Sequence, residues 1–258
     1  MRANPWTNES IARFWNEHAG GNEADYFSNQ VGAGIVHLLS LKGLVRRKTR
    51  VLDYGCGPGW LLAEFLARGA DCAGVDTSPN SISMAARVLA PAVEKADLAV
   101  LNGSRAPFPE GSFALVTCVE TIEHIPDDPA LDGLIGDVHR LLIPGGVILL
   151  TTPHDEDLRS QFTYCPFCDT RFHPMQHVRS FTIGQVQGLL RRNGFTIDFC
   201  EPISLTAIQH AASPPKLPNW KHISPYMIVN GIRLRLIRRS LKRLIVPGRH
   251  LVAIARKP

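Results

Sequence analysis

Val51-Leu52-Asp53-Tyr54-Gly55-Cys56-Gly57-Pro58-Gly59 is the stretch that decides the fold, because an apolar run ends in an aspartate and passes directly into three glycines. Glycines at a strand-to-helix turn allow a tight bend and a close approach of a ligand to the backbone. Their spacing is GxGxG, which differs from the GxGxxG of dinucleotide-binding sites. The Asp53 carboxylate disfavours a pyrophosphate and suits a cationic ligand, and Pro58 removes one N–H group that a phosphate site would use. The stretch therefore predicts a strand, a glycine turn and a helix that bind a cationic ligand.

Short β-branched runs alternate with helical periodicity along most of the chain. The alternation predicts an α/β fold with a doubly wound, Rossmann-like sheet of seven strands. The predicted strands are 50–56, 71–77, 98–102, 113–120, 146–152, 195–200 and 250–256, and the predicted helices between them are 59–68, 79–89, 129–142 and 182–193.

These elements divide the chain into four parts. Residues 1–45 predict an N-terminal helical lid, in which Trp15, Tyr26 and Phe27 would make apolar contacts with a ligand. Residues 46–202 predict the ligand-binding core, residues 203–249 an insertion that shapes the pocket, and residues 250–258 the final strand of the core.

Asp76 ends the second predicted strand, 21 residues after Gly55. An acidic side chain at this place can accept hydrogen bonds from two ribose hydroxyls. A ligand with a ribose, a positive charge and no phosphate is S-adenosylmethionine.

Five motifs in order then resemble one family. VLDYGCGPG, GVDTS, LNGSRAPFPEGSF, ALVTCVETIEHI and LLIPGGVILLTTP lie between residues 45 and 200, and together they resemble the class I S-adenosylmethionine-dependent methyltransferases of the type 11/12 kind. The resemblance implies that the seven-stranded sheet is a methyltransferase sheet. It also implies cofactor contacts to the methionine part, the ribose and the adenine by Asp53, Tyr54, Gly55, Cys56, Gly57, Asp76, Thr77, Asn102, Gly103, Ser104 and Glu120.

Glu120, Glu123 and His124 follow the fourth predicted strand at the carboxyl edge of the sheet, where ligands bind. On a helical turn, positions i, i+3 and i+4 share a face, and two carboxylates with an imidazole can hold Mg²⁺ or Mn²⁺. The alternative is that Glu120 contacts the cofactor and that His124 is a positioned base or a packed residue. The pattern leaves both interpretations open.

Two groups of enzymes carry a similar segment. TCVETIEHIPDDP, residues 117–129, resembles the ubiquinone-biosynthesis O-methyltransferases. It also resembles the small-RNA 3′-terminal 2′-O-methyltransferases, in which a later histidine joins the Glu-Glu-His set, and His177 in HVRSFT is similar. Both resemblances imply methylation of an oxygen beside another oxygen. A metal would chelate the two oxygens and lower the pKa of the attacking hydroxyl.

Cys165, Cys168, His173 and His177 have the spacing C-x2-C-x4-H-x3-H, which resembles a compact zinc knuckle. We expect structural zinc on this set. A free Cys-x-x-Cys pair without metal and a redox pair are the alternatives, and His177 cannot serve both candidate metal sites unless they are adjacent.

Composition and charge limit the partners. With 45% apolar and 20% charged residues, the chain can bury a core, and no run approaches the roughly 18–20 apolar residues of a membrane span. The first residues lack the pattern of a secretory signal, so we expect a cytoplasmic protein, peripheral to a membrane at most. Residues 202–258 hold eleven Lys and Arg and no Asp or Glu, so basic residues within 231–249 predict an anionic surface or substrate, or else a solvated helix face.

The sequence thus predicts an S-adenosylmethionine-dependent methyltransferase that methylates a hydroxyl of a small molecule or a glycan, with Glu120, Glu123, His124 and His177 as metal ligands or as acid and base. An RNA ribose 2′-O-methyltransferase is an alternative, although aromatic residues that could stack on bases are sparse in the basic insertion. A methyltransferase fold that binds a partner without catalysis is the third hypothesis.

Overall fold

The computed structural model describes residues 2–3, 6–21, 26–90, 94, 96–212 and 247–258. Its strands are β1 (Arg2–Ala3), β2 (Arg50–Tyr54), β3 (Asp71–Asp76), β4 (Ala96–Val100), β5 (Phe113–Val119), β6 (Leu142–Pro153), β7 (Thr163–Cys165), β8 (Thr170–Phe172), β9 (Thr196–Ile203) and β10 (His250–Arg256). Its α-helices are α1 (Asn8–His18), α2 (Phe27–Leu41), α3 (Trp60–Ala67), α4 (Pro79–Val88), α5 (Asp128–Leu141), α6 (Ile183–Arg192) and α7 (Leu205–Ala212).

A seven-stranded sheet forms the centre of the fold, in the order β4-β3-β2-β5-β6-β10-β9. The first five of these strands run parallel, whereas β10 runs antiparallel to both β6 and β9. All seven predicted strands and all four predicted helices of the core are present, and the predicted α/β, Rossmann-like fold class is confirmed.

Two apolar layers bury the two faces of this sheet. On one face, α5 and α6 pack against side chains such as Leu52, Val116 and Leu150. On the other face, α2, α3 and α7 pack against Val51 and Leu149 among others. Because both faces are covered, the central strands read as continuous apolar runs without strict alternation.

Local signals in the sequence fix where several helices begin. Thr182 and Gln185 form a reciprocal capping box at the start of α6, and Asp127 accepts the Ala130 N–H at the start of α5. The start of α3 has no side-chain cap; Gly59 adopts the left-handed conformation there, so this helix begins directly from the glycine turn.

A small three-stranded sheet was not predicted from the sequence. β7 and β8 form an antiparallel hairpin, and β1 pairs with β8 in parallel. The hairpin lies in the connection between β6 and α6, and it carries the Cys165 and Cys168 pair.

The predicted insertion begins with α7, which packs against α2; Gln209 Oε1 accepts the Gly34 N–H at 2.6 Å. The basic pattern at 231–248 and most of the segment 231–249 lie outside the described residues. No helix in the described ranges is both long and apolar enough to cross a membrane.

Candidate active site

One large cavity opens at the carboxyl ends of the parallel strands and has a volume of about 1290 Å³. Trp15, Tyr26 and Phe27 of the predicted lid contribute to its wall. Its wall includes all the residues that the resemblance implies as cofactor contacts, namely Asp53, Tyr54, Gly55, Cys56, Gly57, Asp76, Thr77, Asn102, Gly103, Ser104 and Glu120. The structure therefore brings these residues to one place, although they come from four separate stretches of the chain.

The glycine turn is held in shape by the carboxylate of Asp76. Gly57 N–H donates to Asp76 Oδ2 at 2.9 Å, and Ser78 N–H donates to Oδ1 at 2.8 Å. Gly55 has φ +82° and Gly57 has φ +50°, which favours glycine at both positions. A Cβ at Gly55 would also lie 2.8 Å from Thr121 Oγ1. Each Asp76 oxygen keeps a lone pair, so the carboxylate can order the turn and still accept a ribose hydroxyl.

Asp53 is buried at the end of β2 with 3% of its surface exposed. Burial raises its pKa from 3.8 to about 7, although a 2.7 Å hydrogen bond from Thr117 Oγ1 opposes this and the charge of Asp76 adds to it. A buried carboxyl with this pKa favours a nearby cation, such as the amino group or the sulfonium of S-adenosylmethionine.

Tyr54 and Cys56 turn their side chains into the protein. The Tyr54 hydroxyl lies 3.4 Å from Asp137 Oδ2 in the core. The Cys56 Sγ packs closely against Gly74 of β3: a Cβ added to Gly74 would lie 2.9 Å from this sulfur. Both residues line the cavity, but because their side chains point into the protein, only their backbone atoms can contact a cofactor there.

The lid is tied to the rim of the cavity through Asn16 of α1. Ser78 Oγ lies 3.2 Å from Asn16 Oδ1, Asn80 N–H donates to the same atom at 3.2 Å, and Asn80 Nδ2 donates to the Asn16 carbonyl at 3.0 Å. The lid is thus anchored one turn away from Asp76.

Glu120 stands at the end of β5 in a backbone conformation with φ +48°, which a residue with a Cβ adopts only under constraint. Its N–H donates to Thr151 Oγ1 at 3.2 Å, and Thr151 Oγ1 donates to Glu120 Oε1 at 2.8 Å. His250 Nε2 lies 3.7 Å from Glu120 Oε2. These contacts from β6 and β10 aim the carboxyl group into the cavity.

Glu123 and His124 lie on a 3₁₀ turn, Ile122–His124, directly behind Glu120. Glu123 is fully buried; its Oε2 accepts from Thr152 Oγ1 at 3.0 Å, and its Oε1 has no hydrogen-bond partner within the described residues. Burial, with the charge of Glu120 added, raises the pKa of Glu123 well above its usual range. Burial and the charge of His177 lower the pKa of His124 to about 3, so this imidazole is neutral at pH 7.

His177 and His173 meet Glu156 beside this turn. His177 Nδ1 lies 2.6 Å from Glu156 Oε2, and His173 Nε2 lies 3.4 Å from Glu156 Oε1. Burial raises the pKa of Glu156, but the hydrogen bond and the charge of His177 outweigh it and hold the pKa below its usual range. The His173 and His177 rings are stacked 4.4 Å apart, and the His124 and His177 rings lie 5.1 Å apart.

The residues present fit a divalent cation. One ligand atom each from Glu123, His124 and His177 lies within 4.8 Å of the other two, and so do ligand atoms of Glu156, His173 and His177. The buried Glu123 Oε1 is an oxygen that a cation would satisfy, because it is shielded from water and has no other described partner. Two imidazoles with a carboxylate suit Zn²⁺ and Mn²⁺, and the neighbouring Glu120 adds an oxygen ligand of the kind Mg²⁺ prefers.

The predicted Cys-Cys-His-His zinc site is not assembled. Neither cysteine belongs to a group of three or more candidate ligands among the residues that the structure describes. Cys165 and Cys168 stand at the turn of the β7–β8 hairpin, where Cys168 is exposed, while His173 comes after β8 and is 4% exposed beside Glu156. The spacing was right for a knuckle, but strand β8 carries the two histidines away from the two thiols.

The sequence reasoning missed Glu156, Thr151, Thr152 and His250. The first three follow or end the predicted strand 146–152, at the same carboxyl edge as Glu120, and this position could have identified them. His250 begins the last strand; because β10 is antiparallel, His250 pairs with Pro153 at that edge. The sequence did not reveal that the last strand is antiparallel, and this direction is what places His250 at the edge.

Comparison with known proteins agrees with this geometry. A sequence profile of the methyltransferase domain matches residues 26–198. The ubiquinone biosynthesis O-methyltransferase of Xanthomonas oryzae pv. oryzae (strain PXO99A) is 40% identical over 105 residues, which cover 40% of this chain and 42% of that protein. The enzyme of the same description from Dechloromonas aromatica (strain RCB) is 36% identical over 104 residues, or 40% of this chain and 44% of that one. The match thus spans less than half the length of either relative.

A solved structure extends the likeness to the whole chain at the level of the fold. The 1,6-didemethyltoxoflavin-N1-methyltransferase from Burkholderia thailandensis, with bound 1,6-didemethyltoxoflavin and S-adenosylhomocysteine, aligns with a TM-score of 0.62 and 18% identity over 100% of this chain and 93% of that one. The profile match covers more than half of the chain. The chain therefore belongs to the methyltransferase-domain family, within the class I S-adenosylmethionine-dependent methyltransferases.

Proposed function

We propose that this chain transfers the methyl group of S-adenosylmethionine to a hydroxyl oxygen of a small-molecule or glycan acceptor. The observation that carries the proposal is that the Asp53–Gly57–Asp76 cofactor cradle and the Glu120–His124–His177 cluster open into the same cavity. The named O-methyltransferase relatives support oxygen as the methylated atom.

Each part of the cavity has its own task in this reaction. Asp76 and the glycine turn would hold the ribose and the methionine part of the cofactor in the cavity that the cluster also lines. The bound cofactor would supply an activated methyl group: the acceptor oxygen would form a bond to the methyl carbon while the carbon–sulfur bond breaks and its electron pair stays on sulfur, giving S-adenosylhomocysteine. The hydroxyl proton passes to a base of the cluster, and both Glu120 and His177 line the cavity.

Glu123, His124 and His177 would hold a divalent cation such as Mg²⁺ or Mn²⁺. When bound there, the cation supplies positive charge that lowers the pKa of an acceptor hydroxyl. Such a ligand set favours acceptors with two neighbouring oxygens. This class includes catechols and also the ribose diol of an RNA 3′ end, which keeps RNA 2′-O-methylation as the second candidate.

Cofactor binding is the first test. Asp76→Ala should raise the dissociation constant for S-adenosylmethionine by at least about tenfold, because charged hydrogen bonds contribute about 1.5–3 kcal/mol each. Asp71→Ala is the matched control, since Asp71 is an exposed residue at the other end of the same strand. Absence of measurable binding to the wild-type protein in calorimetry would instead support a fold without catalysis.

Methyl transfer from labelled S-adenosylmethionine is the second test. A catechol panel, hydroxylated glycans and a short RNA with a free 3′ diol are offered in parallel, with and without EDTA. We expect labelling of the small acceptors that Mg²⁺ or Mn²⁺ restores after EDTA treatment. Labelling of RNA alone would contradict the small-molecule proposal, and labelling that EDTA leaves unchanged would contradict metal assistance.

A further inference from the structure

We propose that Glu156, with His173 behind it, is a positioning residue that holds the His177 ring with its Nδ1–H toward Glu156 and its Nε2 lone pair available to a cation or an acceptor proton. The inference rests on the proposed function, since it gives His177 its task there. Sequence reasoning assigned no role to Glu156 and placed His173 in a zinc knuckle.

The contact between Glu156 and His177 is short and shielded from water. Glu156 Oε2 and His177 Nδ1 are 2.6 Å apart, with 16% and 13% of the side chains exposed. A carboxylate oxygen only accepts hydrogen bonds, so the hydrogen of the neutral ring lies on Nδ1. Nε2 then carries the lone pair, which is the form that binds a metal ion or takes a proton.

His124 is held in the same tautomer by a different group. Its Nδ1 lies 3.2 Å from the backbone oxygen of Gln176, which also only accepts. Gln176 is fully buried and has φ +59°, so its carbonyl is aimed by an unusual backbone conformation immediately before His177. Two imidazoles with ring centres 5.1 Å apart thus both direct Nδ1 at an acceptor oxygen.

His173 completes the chain of contacts from the other side. Its Nδ1 accepts the backbone N–H of His177 at 3.3 Å, so the hydrogen of its neutral ring lies on Nε2, which faces Glu156 Oε1 at 3.4 Å. The same tautomer argues against His173 as a metal ligand through Nε2. The His173 Nε2–Glu156 Oε1 contact lacks hydrogen-bond geometry, so His173 only packs beside the Glu156 carboxylate. The hydrogen-bonded contact that positions His177 is the one to Glu156 Oε2.

This arrangement predicts a specific effect on metal affinity. A carboxylate that accepts from the far nitrogen of a ligating histidine fixes the ring and raises its basicity, and removing such a group weakens metal binding by about 10–100-fold. Glu123, in contrast, offers its unpartnered oxygen directly, so its loss should remove the site.

The first measurement reads the tautomer without any metal. Two-bond ¹H–¹⁵N spectra of the full-length, histidine-labelled protein should show His177 and His124 protonated on Nδ1. Glu156→Gln should convert His177 to a mixture or to the Nε2-protonated form, because an amide can donate as well as accept, while His124 stays unchanged as the internal control. A wild-type His177 protonated on Nε2 would overturn the proposal.

The second measurement is titration with Mn²⁺, followed by the loss of the free-ion signal in electron paramagnetic resonance. Glu156→Gln should raise the dissociation constant about 10–100-fold at an unchanged stoichiometry of one, and Glu123→Gln should abolish binding. Glu201→Gln removes an exposed carboxylate and should change nothing. The positioning role would be overturned if the wild-type chain bound two ions and Glu156→Gln lost one of them. It would also be overturned if Glu156→Gln changed the dissociation constant for Mn²⁺ by less than threefold.

The two measurements separate this inference from the proposed function. If wild-type protein binds no Mn²⁺ but shows the His177 tautomer and its dependence on Glu156, metal assistance fails and the positioning role stands. If S-adenosylhomocysteine still binds each variant with wild-type affinity in calorimetry, loss of folding does not explain either result.

Discussion

Asp53→Asn should stabilise the protein in the absence of cofactor, and the gain should grow as the pH rises. The folded-state pKa of Asp53 is raised from 3.8 to about 7, chiefly by burial. A carboxyl with a raised folded-state pKa keeps its proton in the native state after the unfolded chain has lost it. Its favourable contribution is therefore fully present below pH 4 and is lost progressively as the pH rises through 7.

The size of the effect follows from the two pKa values. One pKa unit corresponds to about 1.4 kcal/mol, so the loss is roughly 2 kcal/mol at pH 5 and roughly 4 kcal/mol at pH 8. Asparagine has no charge to desolvate, and its Oδ1 can still accept from Thr117 Oγ1. The gain in free energy of unfolding of Asp53→Asn over the wild type should thus be larger at pH 8 than at pH 5, by about 2–3 kcal/mol.

Urea unfolding at the two pH values measures this difference. Asp97→Asn is the control, because Asp97 belongs to the same sheet and its side chain is 64% exposed, and it should change the free energy of unfolding by less than about 0.5 kcal/mol. In parallel, calorimetry should show weaker S-adenosylmethionine binding by Asp53→Asn. A variant that is less stable than the wild type at pH 8, or a gain that is the same at both values, would refute the reasoning.

Two further substitutions test the fold and the glycine turn. Arg140→Leu removes the 2.8 Å ion pair of the buried Asp137 carboxylate, which keeps the Ala106 N–H at 2.8 Å, and should cost about 3–5 kcal/mol in urea unfolding. Loss of the exposed Arg192 should cost less than about 1 kcal/mol. Gly55→Ala places a Cβ at a residue with φ +82° and only 2.8 Å from Thr121 Oγ1. It should lower the free energy of unfolding by about 1–3 kcal/mol and should also weaken cofactor binding. Gly188→Ala, in open space on α6, should raise stability by about 0.5–1 kcal/mol in the same assay, and equal effects of the two would contradict the role of the turn.

Much of the fold could be read from the sequence because each core element carries a local signal. The run Val51–Tyr54 before the glycines, the N-caps at Asp127 and Thr182, and the apolar periodicity of the core helices depend on neighbours close in the chain. Such signals can be recognised in the sequence without knowledge of the tertiary structure. The β7–β8 hairpin has short strands and half-exposed side chains, so it leaves almost no pattern of burial to recognise.

The candidate site was only partly predictable for a related reason. Asp53, Asp76 and Glu120 end parallel strands, and the direction of those strands alone places them at one edge. The predicted set of two cysteines and two histidines did not come together, because spacing along the chain says nothing about the direction in which a hairpin turns. Glu156 was missed because its role depends on contacts of 2.6 Å and 3.4 Å with residues more than 15 positions away.

The cavity concentrates acidic groups where burial makes them costly. Burial raises the pKa of Asp53, Asp76, Glu120 and Glu123. Each carboxyl group is therefore more stable when it is protonated or beside a cation than when it is charged and unpaired. Hydrophobic side chains at these positions would give a more stable protein and no site, since stability does not require buried carboxyls. The four groups fall into two sets: Asp53 and Asp76 beside the glycine turn, and Glu120 and Glu123 beside His177. A cationic methyl donor would satisfy the first set and a divalent cation or a proton the second. The buried carboxyl groups of the protein thus already separate a part of the cavity beside the glycine turn from a part beside His177.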